Sequence, residues 1–336
     1  RISLSNNDSG DNNTLFGYNA GLSLDANSDE NVFIGHGVSD ATMSTALGNT
    51  VVGFMAASAI TQADYNTIIG RNTGLLLQTG ASNVMVGNGA GATTTDVDHS
   101  VLIGLHAGGS AVMTSDADGT VAIGSSALTA LTSGGGNTAV GYQSLDAQVT
   151  GDNNTAIGYS ALGANAVADG AGNNTAVGFE AAKLLVTGVD NVVIGSAALD
   201  AADGTESYNV CIGSGAMGAV DEGGGGEANF NVCIGRNAGL GGASTEFNSN
   251  IAIGYGAFDG SSSQLISNVV AIGHEALSGA VENEAAGTVA IGYNALLALT
   301  TGAGNVAVGF ESALSATDNT ANTVIGYQAF RVADAG

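Results

Sequence analysis

At 336 residues, 44% of them hydrophobic, the chain is apolar enough to offset its ordering entropy, and its 54 glycines lack the every-third spacing of collagen. Thirty acidic residues against five basic ones (Arg1, Arg71, Lys183, Arg236 and Arg331) give a net charge of −25, a field that repels phosphate backbones and argues against a nucleic-acid partner. No apolar run reaches the ~18 residues of a membrane helix and no signal-peptide pattern opens the chain, so membrane insertion is not expected.

Read in order, the chain repeats one five-residue box. It appears first as Asn13 to Gly17 and most plainly as Asn137-Thr138-Ala139-Val140-Gly141, then at 154–158 and 174–178. The closing glycine falls at 17, 35, 53, 70, 87, 104, 124, 141, 158, 178, 195, 213, 235, 254, 273, 292, 309 and 326, which makes eighteen copies at intervals of 17 to 22 residues. A short fixed period marks a solenoid, in which each unit buries its apolar face against its neighbours. Residues 1–336 are therefore predicted to form a single all-β domain, a parallel β-solenoid of about 18 short coils, and a segment of a longer fibre.

Numbering from the closing glycine as zero, position −3 is Thr, Val or Ile in every copy, and position −1 is Ile or Val except for Phe16. Position −2 is apolar throughout: Leu15, Phe33, Val51, Ile68, Met85 and Leu102 early, then mostly Ala. Such a run bounded by Asn and Gly predicts a short strand. Both of its faces are apolar, so both are expected to be covered. A lone solenoid covers one, which points to an oligomer. Asn fills position −4 in fourteen copies, where it is expected to turn the corner in left-handed dihedrals and to link rungs through its amide. The invariant glycine, as at Gly141, Gly158, Gly178, Gly195, Gly309 and Gly326, predicts positive φ or close backbone approach.

After the glycine, small residues at +3 and large apolar ones such as Leu128, Leu145 and Leu296 at +4 suggest a second strand per unit packed into a thin interior. Extra residues collect before the next box, at 113–119, 164–172 and 219–230, as in loops on one edge of a repeat protein. Cys211 and Cys233 both occupy −2 in consecutive units. They read as small buried apolar residues, with a disulfide between rungs as the alternative.

The boxes at 137–141, 305–309 and 268–273 resemble the head repeat of trimeric autotransporter adhesins. The longer phrase Asn-Asn-Thr-Ala-Val/Ile-Gly-Tyr/Phe-x-Ala, at 153–161 and 173–181, is more similar to repeats in bacteriophage tail fibres. The resemblance spans nearly the whole chain. It implies a left-handed β-roll, three chains side by side as a homotrimer, and attachment to a host cell-surface glycan or protein. The location implied is a virion tail fibre or, alternatively, a bacterial cell surface. The coils are longer than in the autotransporter heads, and neither a heptad stalk, a C-terminal barrel segment nor a self-cleaving chaperone domain is seen. A self-stacking extracellular filament and an ice-binding solenoid, the latter prompted by Thr at −3, are the further alternatives.

Catalysis has no pattern to carry it. His36, His99, His106 and His274 are read as lying at different places in their units, and no Ser, Cys or carboxylate recurs at triad spacing. The pair Glu282 and Glu284 reads as a solvated loop rather than as glycosidase carboxylates. Asp116 and Asp118, like Asp96 and Asp98, alternate as Ca²⁺ ligands do but lack the distal acid that completes a loop site. No cofactor is expected. Position +1 is Tyr or Phe in nine copies, including Tyr142, Tyr159, Phe179, Tyr293, Phe310 and Tyr327. One ring per rung makes these the receptor-contact candidates, with a self-packing ladder as the structural reading.

Overall fold

The computed structural model describes residues 10–163, 172–201, 205–219, 228–241, 247–260, 266–279 and 285–331. The chain divides into two compact units, Arg1–Gly170 and Ala171–Gly336, and each is an all-β parallel solenoid. Unit 1 carries nine strands among its described residues: β1 (Thr14–Phe16), β2 (Val32–His36), β3 (Thr50–Phe54), β4 (Thr67–Ile69), β5 (Val84–Val86), β6 (Val101–Ile103), β7 (Val121–Ile123), β8 (Thr138–Val140) and β9 (Thr155–Ile157). Each runs parallel to the next with box residue opposite box residue; Thr138, Ala139 and Val140 face Thr155, Ala156 and Ile157. In unit 1 a 3₁₀ turn, Ser115–Ala117, lies in the loop before β7.

Unit 2 repeats the plan with β10 (Thr175–Val177), β11 (Val192–Ile194), β12 (Val210–Ile212), β13 (Val232–Ile234), β14 (Phe247–Asn248), β15 (Ile251–Ile253), β16 (Ile266–Ser267), β17 (Val270–Ile272), β18 (Val289–Ile291), β19 (Val306–Val308) and β20 (Thr323–Ile325). Nine of these form the box ladder, and β14 pairs separately with β16. No described helix is long and apolar enough to cross a membrane.

Side chains alternate across a strand, so position −2 points inward and positions −3 and −1 point outward. Phe33, Ile68, Leu102, Ala139, Cys211 and Ala290 at −2 are all fully buried. The outer pair is not: Ile157 is 41% exposed and Ile194 40%. The chain keeps one face of its ladder dry and leaves the other, uncharged and built of Val, Ile, Thr and Phe16, partly exposed on its surface. Cys211 and Cys233 sit opposite each other in register, both as free buried thiols.

The expected second strand after the glycine is a turn instead. Residues +2 and +4 have positive φ in every coil, as at Gln143 (52°) and Leu145 (49°), so the segment curls rather than extends. It still bonds from rung to rung: the Gln143 N–H donates back to the Ser125 carbonyl and the Leu145 N–H forward to that of Ala161, both at 3.0 Å. The second, two-residue ladder lies before the box, where β14 meets β16.

The left-handed corner belongs to the residue before the conserved asparagine, not to the asparagine. Position −5 has positive φ in all eighteen coils, whether it is Asn153, Tyr208, Phe230 or Gly136. Freed from that duty, the asparagines build the predicted amide ladder inside the coil. The Asn49 side-chain oxygen accepts the backbone N–H of Asn66 at 3.0 Å and its amide nitrogen at 3.0 Å, while the Asn49 amide donates to the Ala63 carbonyl at 2.6 Å. The motif recurs along Asn31, Asn49, Asn66 and Asn83 in unit 1 and along Asn174, Asn191, Asn209 and Asn231 in unit 2. Each buried amide is satisfied by its neighbours, as burial requires.

Both reasons anticipated for the closing glycine hold together. Its φ lies between 135° and 155° in all copies, a region open to glycine alone. A Cβ on Gly141 would strike the Gly158 carbonyl, and one on Gly178 or Gly195 the carbonyl of the next box glycine. Gly326, in the last described rung, meets only Ala329 at 3.7 Å.

Interior volume is exchanged between −2 and +4, which sequence reading missed. Large −2 residues go with small +4 residues: Ile68 with Gly74, Met85 with Gly91, Leu102 with Gly108. In several later coils the order inverts, with Leu128, Leu145 and Phe258 beside Ala122, Ala139 and Ala252, whereas Ala176 with Ala182 and Ala307 with Ala313 are small at both positions. In the coils that follow either order, the interior is filled by two different side-chain solutions.

Candidate functional site

The receptor-contact candidates lie on one surface column within each unit. Backbone hydrogen bonds fix the register, because the +2 N–H of each rung donates to the +1 carbonyl of the rung before: Glu275 to Tyr255, Asn294 to His274, Glu311 to Tyr293 and Gln328 to Phe310. The +1 side chains are therefore stacked one per rung. Tyr142 and Tyr159 lie 5.3 Å apart between ring centres, Tyr293 and Phe310 5.1 Å, Phe310 and Tyr327 5.2 Å, with interplanar angles of 9° to 18°. Phe179 occupies the same position in unit 2 and is 51% exposed.

The column is longer than its tyrosines and phenylalanines. His36 and His274 share position +1, which corrects the reading that the histidines are scattered. His36 lies between Tyr18 and Phe54, with ring centres 5.1 and 5.2 Å away, and His274 between Tyr255 and Tyr293, both at 5.0 Å. Two of the five basic residues join as well: the Arg71 guanidinium lies over Phe54 at 5.9 Å and that of Arg236 over Tyr255 at 5.7 Å. Aligning all residue types at +1, rather than seeking aromatic rings alone, would have found these four. Planarity, not hydrophobicity, is the property they share.

This stacking decides what the column offers. Rings held 5.0 to 5.3 Å apart cover one another's faces and turn their edges to water. An attachment surface that needs open ring faces can have them only where the column is interrupted. A second pair of rings, Tyr208 and Phe230 at −5, stacks at 5.0 Å away from the column.

The calcium candidates serve the backbone. Asp118 accepts the N–H of Asp98 at 2.7 Å, and Asp98 in turn that of Ala81 at 2.6 Å, while Asp116 lies in the 3₁₀ turn. Position −6 acts in the same way elsewhere, through Asp64 on Leu47, Asp152 on Gly135 and Asn229 on Ser207. These side-chain oxygens form rung-to-rung links on the coil's edge within each unit. Among the described residues no group of three or more His, Cys, Asp or Glu is placed to hold a metal ion. Glu282 and Glu284 lie outside the described residues.

Half-buried carboxyls recur at +5. Asp146, Asp200 and Asp259 are all raised above the ordinary carboxylate range, chiefly because burial desolvates them. For Asp200 the Glu180 charge adds to the rise and Lys183 opposes it. Lys183 is engaged with Glu180 at 2.7 Å.

No protein-family model matches the chain, and comparison with curated proteins and with solved structures finds no significant match either.

Proposed function

We propose that the chain is a non-enzymatic structural and adhesive fibre segment, of the kind found in phage tail fibres, in which three copies lie side by side and help attach the particle to a host cell. The observation that carries this reading is the outer face of the strand ladder. Its −3 and −1 columns hold only Thr, Val, Ile and Phe16, without one charged residue, in a chain of net charge −25. A face of that chemistry, partly exposed over nine rungs in each unit, is suited to burial against the same face of another copy. Burial of its β-branched side chains would contribute roughly 25 cal/mol per Å². The acidic loops would remain in water and keep the assembly soluble.

Mass in solution by light scattering tests the association. The expected value is three times the chain mass of 32.6 kDa, and a monomer at micromolar concentration would overturn the side-by-side arrangement. Attachment is tested by binding of fluorescently labelled protein to intact bacteria across a panel of species. Binding to none of them would remove the adhesive half of the reading and leave the structural half.

A further inference from the structure

We infer that the gap in the planar column of unit 2, over Ser196 and Ser214, is a subsite for an acidic sugar residue; this rests on the attachment reading and names the receptor chemistry it requires. The register through the gap is fixed by the ladder: Ala197 donates to the Phe179 carbonyl at 2.9 Å, Gly215 to that of Ser196 at 3.0 Å and Asn237 to that of Ser214 at 3.0 Å. Four successive +1 positions are therefore Phe179, Ser196, Ser214 and Arg236. Both serines are exposed, as are the ring before them and the guanidinium after them. From Phe179 to Arg236 is three rungs, roughly 14 Å at the strand spacing. Two planar side chains are missing here from the column of unit 2, which from Arg236 through Tyr255, His274, Tyr293 and Phe310 to Tyr327 stacks one per rung; the break in unit 1, over Asn88, Leu105 and Ser125, has a leucine at its centre in place of a second hydroxyl.

The walls of this notch differ in chemistry, and that selects the occupant. On the Phe179 side a sugar ring inserted at the Ser196 rung takes the place an aromatic ring would have had, with its apolar C–H face toward the phenyl ring. On the far side Arg236 stacks on Tyr255 and has no carboxylate partner among the described residues. Arg71, over Phe54, is likewise without one among the described residues. The carboxylate nearest in sequence to Phe179, Glu180, is already held by Lys183. The serine hydroxyls on the floor donate to and accept from sugar hydroxyls. A pyranose carrying a carboxylate uses all three features, with its charge lying across Ser214 on the planar guanidinium fork. A neutral sugar uses two; the acidic field opposes every anion, but it weighs more heavily on a phosphate backbone charged at each nucleotide than on a carboxylate seated on the one guanidinium.

Trigalacturonic acid and galactotriose, titrated calorimetrically into the full chain, provide the test. Trigalacturonate should bind, and galactotriose should bind about tenfold more weakly because it lacks the charge-assisted contact. Arg236→Ser should bring trigalacturonate down to the galactotriose level. Ser196→Tyr, which continues the column with a residue that +1 accepts in other coils, should abolish binding of both. Each variant uses a residue found at +1 elsewhere in the chain, so both should fold. Equal affinity for the two sugars, or unchanged trigalacturonate binding in both variants, would overturn the subsite. Labelled Ser196→Tyr protein that adheres to bacteria as well as the parent does would also sink it while leaving attachment intact, whereas a parent that adheres to none sinks attachment alone.

Discussion

The carbonyl oxygen of Gly158 occupies the space that a side chain on Gly141 would need. The two glycines close adjacent boxes, and each has φ of 142°. Replacing Gly141 with Ala should therefore add a backbone clash to the cost of the dihedral, about 3 kcal/mol or more in total. Gly326→Ala has the dihedral but open space around it, and should cost about half as much. Chemical denaturation of both variants checks this. Equal losses would show that the dihedral alone makes the glycine necessary.

The amide ladder predicts a stabilising change. Thr288 stands where most coils have Asn, and its buried hydroxyl is without a partner. The Asn305 amide reaches back to the Gly302 carbonyl at 3.0 Å, a contact that Asn137 repeats on Gly134 after Thr120, the other threonine at the asparagine position. Thr288→Asn would supply an oxygen for the Asn305 N–H and a donor for Gly302, and should raise stability by about 1 kcal/mol. A lower melting temperature would mean that the threonine is fitted to its rung.

Complementary volumes predict a rescue. A Cβ on Gly91 would stand 2.8 Å from the Met85 sulfur and 2.9 Å from Leu102 Cδ1. Gly91→Leu should destabilise by about 1–3 kcal/mol through overpacking. In combination with Met85→Ala and Leu102→Ala it reproduces the Ala122, Leu128, Ala139 arrangement, and much of the loss should return. A triple variant no more stable than the sum of its parts would show that the two packings are not interchangeable.

The cysteines predict a pH dependence of definite sign. Burial pushes the Cys233 thiol from an ordinary value of 9.0 up to about 12, and Cys211 rises as well, through burial first and its neighbour Cys233 second. In the unfolded chain both thiols ionise near pH 9, while in the native chain they keep their protons. Between pH 9 and about 12 the native state binds more protons, so stability falls as pH rises through that window and is fully present below it. Cys233→Ala should flatten the decline. Neither thiol should react with a disulfide reagent at pH 8 until denaturant is added. Rapid native labelling would contradict their burial.

Much of the fold was legible because the box is repeated. β-branched residues at −3, apolar ones at −2 and −1, and an invariant glycine leave few alternatives to a stacked parallel strand, and the inward turn of Ala139 and Ala156 follows from the two-residue period of side chains. The turn after the glycine was harder to see. Leu145 at φ 49° carries no sequence mark of its conformation; the rung-to-rung hydrogen bonds around it hold it there. The exchange of volume between Met85 and Gly91 was present in the sequence but becomes visible only once the two positions are known to touch.

The candidate site divides in the same way. That Tyr293, Phe310 and Tyr327 share a column is arithmetic on the repeat. That His274 and Arg236 belong to it, and that its rings hide their faces from water, depends on centre-to-centre distances set by the ladder. The sequence by itself determined the period, the short strand and the residues that must be glycine, because these are local consequences of sterics and side-chain shape. Tertiary structure decided which face stays wet, which carboxylates are tied to the backbone and where the column is broken, because each depends on residues brought together only when one coil settles on the next.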